Sequence, residues 1–173
     1  QTVQTNILGH THILEGARTH KVERVVYASS VYVYSKYGSF YTISKQACEE
    51  LTAEYAKRFN LGYTIVRYGS LYGPRAKKWN GVYRYLYQAM SEKRVDYPGS
   101  VDEKRKYIHV CDASRLSVDV LDAAFKNECV IINGDTTLSS HELLDMIREM
   151  MDGDIEINLT GKENLKHYKL PPY

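Results

Sequence analysis

Residues 25–45 read VVYASSVYVYSKYGSFYTISK, a short apolar run that ends in two serines and is followed by Tyr41 and Lys45 at a four-residue spacing. A tyrosine and a lysine at this spacing lie on one face of a helix, and an ammonium beside a phenol favours the phenolate. The spacing therefore makes Tyr41 a candidate acid–base group. A surface pair that stabilises an ordinary helix is the alternative interpretation.

The two serines stand at the carboxyl end of a predicted strand. Residues 23–29 are predicted to form a buried β-strand, because the residues from Val25 to Ala28 are consecutive and uncharged. Strand ends in open α/β sheets face the ligand crevice, so Ser29 or Ser30 could hydrogen-bond the same substrate oxygen as a tyrosine that follows. Capping of a loop is the other role open to these serines.

Strand and helix patterns alternate along the chain, as they do in α/β proteins. Helices are predicted at 3–20, 41–60, 81–93, 113–125 and 143–151, and strands at 23–29, 63–68, 107–110, 130–134 and 155–157. Gly62 is expected to stop the second helix and Asp112 to cap the fourth, while Ser139 and Glu142 are expected to form a capping box. Residues 69–74 are predicted to form a loop and residues 97–100 a turn.

The composition is that of a globular chain without a strong charge bias. The 173 residues are 43% hydrophobic and 25% charged, and the net charge of +2 gives no reason to expect nucleic acid or a membrane surface as a partner. No apolar run approaches the roughly 18 residues needed to span a bilayer. The three cysteines, Cys48, Cys111 and Cys129, have no metal-like or redox-like spacing, so we predict a reduced, cytoplasmic chain. The histidines share no metal-ligand spacing, and no metal is predicted.

Four segments, taken in order, resemble the extended short-chain dehydrogenase/reductases of the NAD-dependent sugar-nucleotide epimerase/dehydratase type. They lie at 6–17, 25–34, 67–75 and 105–112. The resemblance implies an α/β fold: the C-terminal portion of a Rossmann-like, doubly wound parallel sheet plus a small α/β substrate-binding part. It places a partial Rossmann-like domain with the catalytic strand and helix at 1–75. A mixed substrate-binding region would follow at 76–173, with residues 107–134 returning to the sheet.

The same resemblance implies NAD-dependent epimerisation, or a related reduction, of a nucleotide-linked sugar by transient oxidation. Tyr41 would be the general acid–base, Lys45 would lower its pKa and bond the nicotinamide ribose, and Ser30 would bond the reacting oxygen. Ser29 is the alternative if the register differs by one residue. NAD is the expected cofactor, and NADP is not excluded. Dehydration is disfavoured, because residues 30–32 read Ser-Val-Tyr where 4,6-dehydratases usually have Thr-Asp-Glu.

Further site residues are carried over from the resemblance position by position. The expected cofactor-binding residues are Asn6, Ala28, Ser29, Tyr41, Lys45 and Tyr68, and the expected substrate-binding residues are Ser70, Arg75 and Arg105. Ser70 departs from the asparagine that many relatives place on the substrate diphosphate. Arg105 matches an arginine that grips a nucleotide-sugar phosphate, a task that suits a guanidinium fork. Arg75 is a second phosphate ligand or a surface charge, and Asn6 has capping within its own helix as an alternative role.

The sequence contains no Gly-x-x-Gly-x-x-Gly turn, which members of this family use to hold the cofactor pyrophosphate. We therefore expect a fragment without the N-terminal Gly-rich half, inactive alone. A non-catalytic dimerising or substrate-binding remnant of the same fold is the alternative. The resemblance also implies a homodimer through the helices at 3–20 and 41–60. In such a fragment the strand at 23–29 would keep an unpaired edge and an uncovered apolar face.

Overall fold

The computed structural model of the chain describes residues 1–35 and 38–161. These residues divide between two compact α/β units. Unit 1 comprises residues 1–69 and 113–132, and the described part of unit 2 comprises residues 70–112 and 133–161.

The strands and helices alternate as the sequence predicts. The strands are β1 (Arg24–Ser30), β2 (Gly62–Tyr68), β3 (Ser70–Tyr72), β4 (Arg94–Tyr97), β5 (Lys104–His109), β6 (Glu128–Ile132), β7 (Thr137–Ser139) and β8 (Glu156–Leu159). The helices are α1 (Gly9–Thr19), α2 (Ser39–Phe59), α3 (Gly81–Glu92), α4 (Val110–Asp119) and α5 (Ser140–Met150). A π-helical segment (Val3–Leu8) precedes α1, and 3₁₀ turns follow β1 (Val31–Tyr34) and α4 (Ala123–Phe125).

Unit 1 is built on three parallel strands in the order β1-β2-β6. Tyr27 of β1, Ile65 of β2 and Cys48 of α2 form a buried cluster that seats α2 on one face of the sheet. The register pairs Ser29 with Arg67 across the first two strands. The predicted α/β class with a parallel sheet is confirmed.

One edge of this sheet has no partner strand in the described part of the chain. β1 is the terminal strand in the sheet order, as expected for the strand predicted at 23–29. Val26 is 39% exposed and Ala28 is also exposed, so the prediction that this strand is buried is wrong for alternate residues. Strand side chains alternate between faces, and these two point to the face opposite Tyr27.

Unit 2 holds a mixed sheet in the order β3-β5-β7 and a parallel pair, β4 and β8. Its core includes Tyr85 of α3, Val95 of β4 and Leu144 of α5. The short strands β3, β4 and β7 are absent from the sequence prediction, which has a loop over β3. Strands of three or four residues are specified by their pairing with distant segments, and local patterning carries little sign of them.

Two of the predicted helix-terminus residues act differently from the prediction. α2 ends at Asn60, which adopts a left-handed conformation with φ 54°, whereas Gly62 already begins β2. A β-carbon at Gly62 would lie 2.6 Å from the Glu23 carbonyl oxygen, so glycine there permits close backbone approach. Asp112 lies inside the first turn of α4 because that helix starts at Val110. The capping box of Ser139 and Glu142 at the start of α5 is confirmed.

Candidate active site

Tyr41 and Lys45 occupy successive turns at the start of α2, beside the carboxyl end of β1. The Lys45 Nζ lies 5.8 Å from the centre of the Tyr41 ring and 5.0 Å from that of Tyr27. It also donates a 2.8 Å hydrogen bond to the carbonyl oxygen of Ala28 in β1. Tyr41 is 43% exposed, so its phenol is accessible from outside the unit. The structure therefore brings the predicted acid–base pair to the end of the predicted strand.

The two adjacent serines have different surroundings. The Ser29 Oγ is buried and donates a 2.5 Å hydrogen bond to Glu49 on the α2 side of the sheet. The Ser30 Oγ accepts a hydrogen bond from the Tyr32 N–H at 3.2 Å and so caps the 3₁₀ turn that follows β1. The Ser29 hydroxyl proton is therefore committed to a carboxylate, whereas the Ser30 hydroxyl acts as an acceptor; both residues are buried.

Asn6 is connected to the first turns of α2 by hydrogen bonds. Its Nδ2 donates to the Ser44 Oγ at 2.8 Å, and that hydroxyl donates in turn to the Tyr41 carbonyl oxygen at 2.8 Å. The Cys48 thiol donates to the Asn6 carbonyl oxygen at 3.3 Å. Asn6 is thus linked to the turn that carries Tyr41, and its side chain does not cap its own helix.

His10 and Lys45 are ionisable groups that share a half-buried region of unit 1. Burial lowers the pKa of the Lys45 ammonium, whereas the nearby Cys48 and Glu49 raise it. The His10 Nε2 lies 2.7 Å from the Thr52 Oγ1, and its ring centre is 4.3 Å from that of Tyr27. Burial, and then the charge of Lys45, hold the pKa of His10 below its ordinary 6.5.

The lowered pKa of His10 predicts a loss of stability on acidification. The unfolded chain binds a proton at the ordinary pKa of 6.5, while the folded chain resists protonation until lower pH. The stabilisation is therefore complete above 6.5 and is lost as the pH falls through the folded pKa. We expect His10→Gln to flatten the pH dependence of the free energy of unfolding between pH 7.5 and 5, measured by urea denaturation. His20→Gln, at an exposed position, is the control; an unchanged slope in the His10 variant would refute the assignment.

A buried ion pair, which sequence analysis did not predict, lies beneath the serines. The Arg67 Nε and Nη2 donate to the two carboxylate oxygens of Glu49, and the two side chains are 22% and 10% exposed. The hydrogen bonds that Arg67 donates to Glu49 raise the pKa of Arg67. Two signals in the sequence could have indicated this pair. Arg67 interrupts an apolar strand, and Glu49 falls one helical turn after Lys45.

Three more of the predicted site residues, Tyr68, Ser70 and Arg75, lie in the segment 67–75. The Tyr68 hydroxyl lies 2.6 Å from the Ser117 Oγ of α4 and is therefore engaged within unit 1. Ser70 begins β3 of unit 2, where it pairs with Tyr107. Arg75 is exposed and adopts a left-handed conformation with φ 64°.

Arg105 belongs to a polar cluster of unit 2. Its Nη2 donates to the Glu103 carboxylate at 3.1 Å, and Glu103 is only 4% exposed. The Tyr97 hydroxyl donates to the same carboxylate at 3.1 Å and lies 2.5 Å from the Ser140 Oγ. Burial raises the pKa of Tyr97, so it remains a hydroxyl donor at neutral pH. The guanidinium predicted to grip a phosphate is thus oriented by a buried carboxylate.

Unit 2 also contains a cavity of about 460 Å³, which sequence analysis did not predict. The facing sides of α3 and α5 provide an apolar lining, and strand and loop residues provide the aromatic and polar groups. The lining includes Leu86, Met146, Tyr72, Tyr107, Asp135 and Thr136. A mostly apolar pocket with a few polar groups at this volume is typical of small-molecule sites.

Two kinds of feature are absent from the residues that the structure describes. Within 1–35 and 38–161, no helix combines the length and apolarity needed to cross a membrane. The same part of the chain holds no group of three or more His, Cys, Asp or Glu side chains arranged to bind a metal ion.

The strand order and the Tyr41–Lys45 arrangement agree with a match between this sequence and a known protein family. The sequence profile of the "NAD dependent epimerase/dehydratase family" matches residues 1–133. The chain belongs to this family. Its predicted membership is confirmed.

Curated relatives include enzymes of several activities. The chain is 29% identical over 160 residues to a putative UDP-glucose 4-epimerase of Methanocaldococcus jannaschii, an alignment that covers 83% of this chain and 52% of the relative. It is 28% identical to a UDP-N-acetyl-alpha-D-glucosaminuronate decarboxylase of Bacillus cytotoxicus, covering 91% of this chain and 55% of the relative. The chain thus spans about half the length of the curated relatives it matches.

Solved structures show the same fold. The UDP-glucuronic acid 4-epimerase of Bacillus cereus, solved with UDP-glucuronic acid and NAD, superposes with a TM-score of 0.88 at 23% identity. That match covers 96% of this chain and 57% of the epimerase. The UDP-glucose 4-epimerase of Thermotoga maritima, solved with UDP-glucose, gives a TM-score of 0.85 at 21% identity and covers 95% and 59% of the two chains.

Proposed function

We propose that the whole protein carrying this chain is an NAD-dependent epimerase, or a related reductase, of nucleotide-linked sugars that acts by transient oxidation of a sugar carbon. Family membership supports the class of reaction. The observation that carries the proposal is the position of the Lys45 ammonium, 5.8 Å from the Tyr41 ring and bonded to the end of β1. This arrangement suits acid–base chemistry at a carbon-bound hydroxyl.

In this proposal the residues of unit 1 handle the proton. Tyr41 takes the proton from the sugar hydroxyl as the carbon is oxidised and returns it when the carbon is reduced. The Lys45 ammonium, 5.8 Å from the centre of the Tyr41 ring, places a positive charge beside the group that accepts the proton. Ser30 donates a hydrogen bond to the same sugar oxygen and fixes its position. Ser29, held by Glu49, supports the strand.

The residues present fit the nicotinamide end of NAD. Lys45, held by the Ala28 carbonyl oxygen, offers ammonium donors, and Tyr41 and Ser30 offer hydroxyls, a donor set suited to ribose hydroxyls and a reacting oxygen. NAD, when bound, accepts the hydride of the sugar carbon and gives it back. The Gly-rich turn that would hold the pyrophosphate is not among these 173 residues, so tight NAD binding by this chain alone would contradict the fragment hypothesis.

The nucleotide-sugar is assigned to unit 2. Arg105, oriented by Glu103, and exposed Arg75 are the proposed phosphate ligands, with Ser70 at the start of β3. The cavity between α3 and α5 is the proposed site for the nucleotide. Addition of UDP should shift the methyl resonance of Met146 in NMR spectra of methionine-labelled chain. An unshifted resonance at millimolar UDP would count against this cavity.

An isotope experiment tests the reaction itself. Transient oxidation returns the same hydrogen to the sugar carbon, whereas deprotonation at carbon exchanges it with solvent. We therefore expect epimerisation of a UDP-sugar by the whole protein in D₂O to leave the inverted carbon free of deuterium, as read by NMR and mass spectrometry. Incorporation of one deuterium at that carbon would rule out the proposed mechanism.

The alternative proposal is a non-catalytic dimerising or substrate-binding remnant, supported by the lack of a Gly-rich turn in the sequence. Exposed apolar side chains on the proposed dimer helices favour a homodimer in either case. Leu8 and Ile13 are 52% and 62% exposed near α1, and Phe40 and Ile43 are 68% and 58% exposed at the start of α2. Sedimentation of the chain as a monomer at high concentration would contradict the dimer. A cytoplasmic location stays a prediction.

A further inference from the structure

Two successive turns of α2 hold two successive residues of β1. Lys45 donates to the Ala28 carbonyl oxygen at 2.8 Å, and one turn later Glu49 accepts the Ser29 hydroxyl at 2.5 Å. Both contacts immediately precede Ser30. The position of the proposed oxygen-binding serine is therefore set by side chains of the same helix that carries Tyr41.

Arg67 extends this arrangement to the next strand and to the turn after β1. It is paired with Ser29 in the register of the parallel sheet, and its guanidinium forks onto both oxygens of Glu49. Its remaining Nη1 donates to the Tyr34 hydroxyl at 2.6 Å, and the guanidinium carbon lies 4.9 Å from the centre of the Tyr34 ring. Tyr34 is the last residue of the 3₁₀ turn that Ser30 caps.

That turn bears directly on the acid–base residue. The Tyr32 ring meets the Tyr41 ring edge-to-face, with 6.1 Å between their centres. Thr42 donates to the Tyr32 carbonyl oxygen at 3.0 Å, and Gln46 donates to that of Val33 at 2.6 Å. These bonds fix the backbone of the turn against α2, whereas the Arg67 contact fixes its far end.

We propose that Glu49 and Arg67 form a positioning pair for the acid–base group: they hold the strand just before Ser30 and the turn just after it, so that Tyr32 rests against Tyr41 in one arrangement. The pair acts through its contacts with Ser29 before Ser30 and with Tyr34 after it. The role of Tyr41 in this inference rests on the proposed function, but the arrangement of the side chains does not.

Electrostatics supports the same assignment. The groups that face Lys45 are His10 from α1, Tyr27 from β1, and Tyr41, Cys48 and Glu49 from α2. Within this set Glu49 is an acid that opposes the lowering of the Lys45 pKa by burial. Arg67 keeps that carboxylate in place, because a bidentate pair fixes both oxygens.

The test compares Glu49→Gln with Glu50→Gln, its exposed neighbour on α2, in the 173-residue chain. A glutamine at 49 replaces one carboxylate oxygen with an amide NH₂, which faces a guanidinium N–H in either orientation of the amide and so breaks the fork while keeping the size of the side chain. Two readouts are measured by NMR: the pKa of ¹³C-labelled Lys45 and the nuclear Overhauser contacts between the Tyr32 and Tyr41 rings. We expect the Glu49 variant to lower the Lys45 pKa and weaken the ring contacts, with the Glu50 variant matching the parent in both.

The lowered Lys45 pKa reports only the lost charge, so the ring contacts decide: a purely structural role would lower stability and leave the Tyr32–Tyr41 contacts unchanged in folded protein, and that result would overturn the inference. Should Glu49→Gln fail to fold, the double variant Glu49→Gln/Arg67→Met removes both charges and leaves no unpaired charge behind. Loss of the Tyr32–Tyr41 contacts in the folded double variant would support the positioning role, and their retention would overturn it. Neither readout uses NAD or a nucleotide sugar, so failure of the proposed function would be seen separately, as lack of turnover by the whole protein.

Discussion

Replacing Arg67 with methionine is expected to lower the free energy of unfolding by about 3–5 kcal/mol, because it leaves the Glu49 carboxylate buried without its counter-ion. Glu49 is 8% exposed as a residue; its remaining hydrogen-bond partner is the Ser29 hydroxyl, and the Lys45 ammonium one helical turn away is near but not bonded to it. A single hydroxyl does not compensate a desolvated carboxylate. Urea unfolding followed by circular dichroism at neutral pH measures the loss.

Two control variants distinguish the cost of leaving a buried carboxylate unpaired from the cost of losing any arginine side chain. Arg58→Met on the same helix as Glu49 removes a surface pair with Glu54, in which the side chains are 69% and 47% exposed. Such pairs contribute less than about 1 kcal/mol. The Glu49→Gln/Arg67→Met double variant should recover most of the stability lost in Arg67→Met. Equal losses for the Arg58 and Arg67 variants would show that the inner pair is not desolvated in solution.

The parts of the fold that local patterning determines could be predicted from the sequence. Uncharged Val25 to Ala28 indicate a strand, and the capping-box residues Ser139 and Glu142 identify the start of α5, which begins at Ser140 rather than at the predicted residue 143. The Tyr41 and Lys45 spacing indicates a helix face, and α2 presents both side chains beside β1. Each of these features depends on residues close in sequence, where propensity and periodicity act.

The features that sequence analysis missed depend on register between distant segments. β3 is three residues long and exists through its pairing with β5, which lies more than thirty residues later. The two hydrogen bonds between Glu49 and Arg67 form only if α2 packs on β2 in one particular register along the strand. Packing of the whole unit sets that register. The choice between Ser29 and Ser30 was open for the same reason. The contact with Glu49 shows that the Ser29 hydroxyl already donates a hydrogen bond.

The exposed face of β1 could be predicted only by combining the apolar sequence pattern with the family resemblance. The apolar run alone predicts burial on both faces, as in the interior of a parallel sheet. The structure exposes Val26 and leaves one edge of β1 without a partner among the described residues. A sequence suited to a central strand thus occupies a terminal position in this sheet, which agrees with a chain that spans about half the length of its relatives.

Removing the phenolic hydroxyl of Tyr41 is expected to have the largest effect on turnover. Tyr41→Phe in the whole protein should lower kcat for epimerisation of a UDP-sugar by about 10²–10⁴-fold, the usual contribution of a positioned general acid–base. The phenyl ring is retained, so the edge-to-face contact with Tyr32 and the Ser44 hydrogen bond to the backbone of residue 41 remain. Stability and substrate affinity should therefore change little.

Tyr87→Phe is the matched control, since Tyr87 is 46% exposed on α3 and does not line the cavity of unit 2. Its kcat should equal that of the parent. A Tyr41→Phe variant within tenfold of the parent would mean that the proton goes elsewhere. The Ser30 hydroxyl would then be the nearest remaining candidate at the end of β1.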